Sequence, residues 1–180
     1  MATDLFYYTG TGNALWAARR LARALAPGVV RPMSRMDGDA ASSGAEAVGL
    51  VFPVHIWGPP RRVIAFVSAL KADPQAYCFA VAVNAGQVAA TLVHLEKILR
   101  ARNLTLASGF GIVMPSNYLP WGGPGPEEEQ RRRIALAGEK IDRIAALVAN
   151  RESRPVEKGP LWQNLCFTAL NRLAFPRVPA

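Results

Sequence analysis

Asp4-Leu5-Phe6-Tyr7-Tyr8-Thr9-Gly10-Thr11-Gly12-Asn13 is the stretch on which the fold turns. Its first half is a short apolar and aromatic run, which reads as a buried strand. That run stops abruptly at Thr9-Gly10. From Ala14 the period changes to helical, with Leu15, Ala18, Leu21, Ala22 and Leu25 on one face and Pro27-Gly28 as the stop. A strand that passes through a Gly/Thr loop directly into a helix places backbone N–H groups at the start of that helix. An anion is stabilised there by the N–H groups and by the helix dipole. The spacing is too short for GxxxxGK[ST] and carries no Lys, so the loop is not that of an ATP-hydrolysing P-loop protein. It also departs from GxGxxG, since Trp16 stands near where the third glycine would fall.

The same alternation continues outward. A weaker strand is expected over 29–33, then a loop over 34–44. The run 47–52 is continuously apolar, as a central parallel strand covered on both faces should be. Pro53 stops it, and Pro59-Pro60 suit the first turn of a helix over 59–70. Further strands are expected at 77–83 and 104–114, the last interrupted by Gly109 and Gly111, with a helix over 87–102 between them. A charged helix over 127–150 opens on three glutamates that complement its dipole. Strands alternating with helices give an α/β protein with a parallel sheet and helices on both faces. The segment between the second and third strands carries no clear helix signal. Residues 1–150 form the expected domain, and the proline-rich 151–180 an appendage.

Bulk properties narrow the classes. The chain has 180 residues, 51% of them hydrophobic, enough for one buried core. No apolar run reaches the roughly 20 residues of a membrane span. No signal peptide is evident, so the expected location is cytoplasmic. Cys78 and Cys166 are the only cysteines, which leaves no metal spacing and no cluster motif for iron–sulfur binding. The net charge of +8 favours acidic partners. The arginines nevertheless fall in small groups on expected helices with no interleaved aromatics, so nucleic acid is not the expected partner.

In an open parallel sheet, ligands bind beyond the carboxyl ends of the strands. Four loops there carry suitable residues. The first is Thr9-Gly10-Thr11-Gly12-Asn13, with Ala14 following. The second, 53–60, offers Trp57 as a flat stacking surface, with Pro53, His55 and Gly58 beside it. His55 is a candidate to flank the ligand or to bond to backbone. The third holds Asn84 and Gly86, and the fourth Met114 and Asn117.

Tyr8-Thr9-Gly10-Thr11-Gly12-Asn13 resembles the FMN phosphate loop of flavodoxin-like proteins. With Pro53, Trp57-Gly58 and Met114-Pro115-x-Asn117-Tyr118, the resemblance over about residues 3–150 narrows to the flavodoxin module of two-module bacterial and archaeal flavoproteins. In those proteins a ferredoxin-type iron–sulfur domain follows. The resemblance implies a three-layer sandwich with a five-stranded parallel sheet, order 2-1-3-4-5, and FMN as cofactor. It implies that Thr9, Thr11, Gly12 and Asn13 hold the phosphate. Pro53, Trp57 and Gly58 would flank one side of the ring, and Asn84 and Gly86 the other. Ala14 replaces a common Thr or Ser, His55 a common Tyr, and Asn84-Ala85 a common Thr-Tyr.

The flavin would then do the chemistry, its N5 bonding to backbone near Gly58, whose peptide could reorient on reduction. The loops around Trp57 and Met114 would govern access. No side chain presents itself as a general acid or base, so no catalytic residue is assigned. Three functions stay open. One is an electron carrier docking an acidic redox protein such as a ferredoxin. Another is an FMN-dependent reductase of a quinone-like substrate. The third is a binding module without flavin. The tail residues Leu161, Trp162, Leu165, Phe167, Leu170 and Leu173 could pack back onto the sheet or meet a partner or a membrane surface. Packing back is the expected outcome.

Overall fold

In the computed structural model of the chain, residues 1–35 and 41–160 are described. The elements run β1 (Thr3–Tyr7), α1 (Asn13–Ala24), β2 (Gly28–Pro32), a 3-10 turn (Met33–Arg35), β3 (Ser42–Ser43), β4 (Ala47–Pro53) and α2 (Arg61–Ala69). They continue with β5 (Lys71–Ala72), β6 (Tyr77–Asn84), α3 (Thr91–Arg100), β7 (Leu106–Val113), a 3-10 turn (Leu119–Trp121) and α4 (Glu127–Ala149). Five strands pair in the order β2-β1-β4-β6-β7, all parallel. Counting the five expected strands alone, this is the order 2-1-3-4-5. The sequence pattern did not foresee β3 and β5, a parallel pair of two residues each.

Successive side chains of a strand point to opposite faces, and the two faces carry different helices. Leu5, Val51, Phe79, Val81 and Ile112 pack with α1 and α4 on one face. Phe6, Leu50, Phe52, Ala80 and Ala82 pack with α2 and α3 on the other, where Phe6 and Phe66 rings lie 4.9 Å apart. Gly49 sits in the middle of β4 between two fully buried neighbours. A methyl group built on it would lie 2.5 Å from Leu5 Cδ2 and 2.6 Å from Phe79 Cζ, so this position has room only for hydrogen. Cys78 is fully buried, and that burial pushes its thiol up to about 11. Cys166 lies outside the described residues, as do the tail residues Leu161, Trp162, Leu165, Phe167, Leu170 and Leu173 that were expected to pack back onto the sheet. Among the described residues, no helix is long and apolar enough to cross a membrane.

Boundaries differ from the sequence reading: Pro59 and Pro60 precede α2, which starts at Arg61, and α3 and β7 differ as well. The helix expected from residue 87 starts at Thr91, because Gly86 (φ +152°) and Ala89 (φ +45°) hold the intervening loop in non-helical backbone. Strand β7 runs unbroken through Gly109 and Gly111, where an added carbon would crowd Val156 at the first and Asn84 and Val88 at the second.

Val156 belongs to the chain after α4. Residues 152–159 form a strap along the outer edge of β7. Glu152 carbonyl accepts the Tyr77 hydroxyl (2.6 Å), and Ser108 Oγ lies 2.9 Å from the same hydroxyl. Arg154 N–H donates to Ala107 O, Glu157 N–H to Gly109 O and Gly159 N–H to Ala89 O. The Glu157 carboxylate accepts Gly111 N–H (2.9 Å) and pairs with Lys140 (2.8 Å). A side chain at Gly109 would collide with Val156, which would stand 3.0 Å from the added carbon. The strap so covers backbone groups that an edge strand otherwise leaves open to pairing with other chains.

Candidate functional site

All five main strands run parallel, so their C-terminal ends, Tyr7, Pro32, Pro53, Asn84 and Val113, share one edge of the sheet. The four loops singled out from the sequence leave from that edge. Cross-loop hydrogen bonds tie them in pairs: the first to the fourth and the second to the third.

The loop 8–12 feeds α1. Gly12 has φ +100°, a backbone state that side chains rarely adopt, and its N–H donates to Thr9 Oγ1 (3.0 Å). The first intrahelical bond is Trp16 N–H to Gly12 O (2.9 Å). The N–H groups of Asn13, Ala14 and Leu15 therefore precede the helical ladder. No side chain caps this end, and its first turn carries no acidic residue. Gly10 and Gly12 both face open space, with nothing within 4 Å of where a Cβ would stand. Exposed Thr11 presents its hydroxyl alongside. The Ala14 methyl is buried in the α1/α4 core, so this residue has only its N–H to offer the loop.

The fourth loop closes over the first. Asn13 Nδ2 donates to Pro115 O (3.3 Å), and Asn117 Nδ2 donates to Thr11 Oγ1 (2.6 Å). Met114 lies elsewhere. Its side chain is 3% exposed and packs in the core, with its N–H on Asn84 O, so it supports the loop from beneath rather than lining a mouth.

The second loop makes a two-residue hairpin, since His55 and Gly58 exchange both N–H···O bonds at 3.0 Å. Its central residues, Ile56 (φ +43°) and Trp57 (φ +57°), both sit in the left-handed region. Such a turn usually takes Asn-Gly, and a β-branched Ile there is strained. The positive φ angles fall on these two residues and not on Gly58, whose N–H is held by His55 O. The Trp57 indole N–H donates to Gln87 Oε1 (2.9 Å) and bridges to the third loop. The His55 ring meets Tyr8 edge-on at 6.1 Å, and its partial desolvation lowers its pKa below the ordinary value of 6.5. Pro53, half-buried, ends β4 beneath this turn.

In the third loop, the Asn84 side chain serves the backbone. Its Oδ1 accepts Gly86 N–H (2.9 Å), and its Nδ2 donates to Ala82 O (3.4 Å). It shapes the loop, while Gly86 leaves open space beside it. Residues that the sequence reading did not rank are Gln87, Ile56 and Tyr8. A polar side chain three residues past the end of β6, opposite a Trp, was the available signal for Gln87.

No protein-family profile matches the chain, and no curated protein matches it. Solved structures do share its fold. The flavodiiron core of Flv1 from Synechocystis sp. PCC6803 superposes with a TM-score of 0.54 at 11% identity, over 82% of this chain and 36% of that one. Flavodoxin 1 from Bacillus cereus gives 0.52 at 15% identity, over 85% of this chain and all (100%) of that one. A short-chain flavodoxin associated with a non-canonical PDU bacterial microcompartment gives 0.50 at 16% identity, over 81% of this chain and 99% of that one. The chain has a flavodoxin-like fold.

Proposed function

We propose that this chain binds FMN at the C-terminal edge of its sheet and passes electrons through it. The observation that carries this reading is the start of α1. It is an uncapped helix N-terminus without acidic residues, ringed by Thr9 and Thr11, with open space above Gly10 and Gly12. Those features fit a phosphate monoester. The indole of Trp57 and the turn that holds it, on the same sheet edge, fit a flat heterocycle.

The residues divide the work. The N–H groups of Asn13, Ala14 and Leu15, with the Thr9 and Thr11 hydroxyls, would hold the phosphate. Asn13 and Asn117 keep the fourth loop drawn against that cradle. The 55–58 turn and the 84–87 segment would bound the ring on its two sides. Gly58 N–H is engaged by His55 O, so offering it to the ring would take a reorientation of that peptide. Bound flavin supplies one- and two-electron chemistry, and the protein supplies position and surroundings.

A small conjugated acceptor such as a quinone is the second reading, and one observation favours it over an acidic protein partner. Ile56, Tyr118 and Leu119, at 47%, 53% and 78% exposure, place apolar surface on the site loops. Meanwhile Arg131 pairs with Glu127, and Arg132 and Arg133 share Glu129, so two carboxylates offset most of the charge of that cluster. A visible spectrum of the purified chain before and after adding FMN tests the main reading. Saturable one-to-one binding with quenched flavin fluorescence is the expected result; a chain that neither retains nor rebinds flavin overturns it. Turnover of a quinone with NAD(P)H as the sole donor would select the second reading.

A further inference from the structure

A groove of about 560 Å³ lies between α4 and the strap, lined by residues of β7, α4 and the strap. Small-ligand sites span about 300–1,000 Å³. The chain turns back after α4, so the strap runs antiparallel to that helix. Glu152 N–H donates to Leu147 O at one end, and Glu157 meets Lys140 (2.8 Å) at the other. Lys140, Arg143, Ile144 and Leu147 follow the i, i+3, i+4, i+7 spacing and form one stripe on the side of α4 toward the strap. From Lys140 to Leu147 the stripe is about 10 Å long. Phe110 of β7 and Ile144 close the floor of the groove, and Leu147 and Pro155 line its two sides.

Three cations, Lys140, Arg143 and Arg154, line the groove against one carboxylate, Glu157. Two of the three have close partners: Lys140 has Glu157 at 2.8 Å, and Arg154 has Glu152 at 2.9 Å. Arg143 reaches Glu139 only at 3.9 Å and its side chain is 68% exposed, so its guanidinium is the best placed to take an acceptor from outside. We propose that this groove binds a small aliphatic carboxylate, with the head on Arg143 and the chain along Phe110, Ile144, Leu147 and Pro155. The excess of cations calls for an anion, and the floor calls for an apolar body. The ties at both ends call for a short one. The site stands apart from the FMN reading and needs no flavin.

Sodium octanoate is the probe, titrated by calorimetry into the full-length chain at fixed pH and ionic strength, without flavin. Acetate carries the same head without the chain, and 1-octanol carries the chain without the charge. The expected result is one-to-one binding of octanoate with a Kd of about 1 mM or tighter. Both controls should bind at least about tenfold more weakly. Arg143→Gln should weaken octanoate about two- to fivefold, the range of an exposed ion pair, and Arg143→Glu, which reverses the charge, should weaken it further. Leu147→Gln should weaken it about three- to tenfold by removing apolar contact. Circular dichroism checks that each variant folds; should Leu147→Gln fail to, the two Arg143 variants decide. Absence of saturable octanoate binding overturns the proposal, and so does acetate or 1-octanol matching octanoate. An affinity indifferent to Arg143→Glu overturns it as well, even where Leu147→Gln lowers it, because the cleft would then be purely apolar.

Discussion

The phosphate cradle makes the sharpest prediction, and comparing FMN with riboflavin isolates it, because the two differ only in the phosphate. Three N–H groups, those of Asn13, Ala14 and Leu15, lie ahead of the first helical bond. Two of them engaged by a charged acceptor at about 1.5 kcal/mol each give about 3 kcal/mol, roughly a hundredfold in affinity. FMN is expected to bind the native chain about a hundredfold more tightly than riboflavin, measured by quenching of flavin fluorescence at fixed ionic strength. Gly12→Ala then perturbs the cradle alone. The added carbon meets nothing within 4 Å, so the substitution acts through the backbone, at φ +100°. Holding a non-glycine residue there costs about 1–3 kcal/mol. If the loop keeps its shape, that cost appears as a Tm lowered by about 2–4 °C per kcal/mol for a chain of this size. If the loop relaxes, the N–H groups turn away and FMN affinity falls toward that of riboflavin, which itself barely changes. A native FMN-to-riboflavin ratio below about five would refute the cradle. A Gly12→Ala chain unchanged in both Tm and ratio would refute the backbone argument.

Gly49→Ala forces a methyl group to within 2.5 Å of Leu5 and 2.6 Å of Phe79, and is expected to destabilise the fold by about 1–3 kcal/mol in urea unfolding. Phe79→Leu should recover part of that loss in the double variant, and strict additivity would contradict the packing account. Among the described buried side chains, Thr91 Oγ1 lacks a hydrogen-bond partner, so Thr91→Val is expected to raise stability by about 1 kcal/mol. A lowered unfolding midpoint would mean that the hydroxyl is satisfied. Burial raises the Tyr77 pKa above its ordinary value of 10.0, so its contribution is complete below pH 10 and lost as pH rises through the folded value. Native chain and Tyr77→Phe should therefore converge in stability above pH 10, and a constant gap would refute this. The His55 resonance should titrate with a midpoint below 6.5, and a higher one would mean that a nearby carboxylate governs the ring.

What the sequence made legible follows from which forces act locally. Continuous apolar runs such as 47–52 identify doubly covered strands, and the Gly/Thr loop identifies the helix start it feeds. Periodicity could not show what happens between elements. Gly109 reads as an interruption because what crowds it, Val156 of the strap, lies 47 residues away along the chain (156 − 109), and Gly111 because Asn84 and Val88 meet it from another strand end. Ala14 and Met114 fall in the right loops, yet their side chains turn into the core, since strand pleat and helix face decide direction where loop membership does not. Asn84 has the right chemistry for a ligand but is consumed by Ala82 O and Gly86 N–H. The Trp57–Gln87 bridge depends on two loops meeting, which only the strand order brings about.

The same strand order joins stability to the site. Strand β7 is an edge, and its outer backbone groups need partners. The strap provides them at Ala107, Gly109 and Gly111, and its last described bond reaches Ala89, in the loop that follows β6. Ala89 itself has φ +45°, so this loop holds a conformation that its residue types do not favour on their own. Bonds from outside hold it: Gly159 N–H to Ala89 O on one flank, Trp57 Nε1–H to Gln87 Oε1 on the other, and Arg133 Nη1–H to Ala85 O at its start. Releasing the strap would therefore uncover the β7 edge and remove one of the bonds that hold the 85–90 loop. One stretch of chain thus both protects the sheet edge and braces the loop that follows β6.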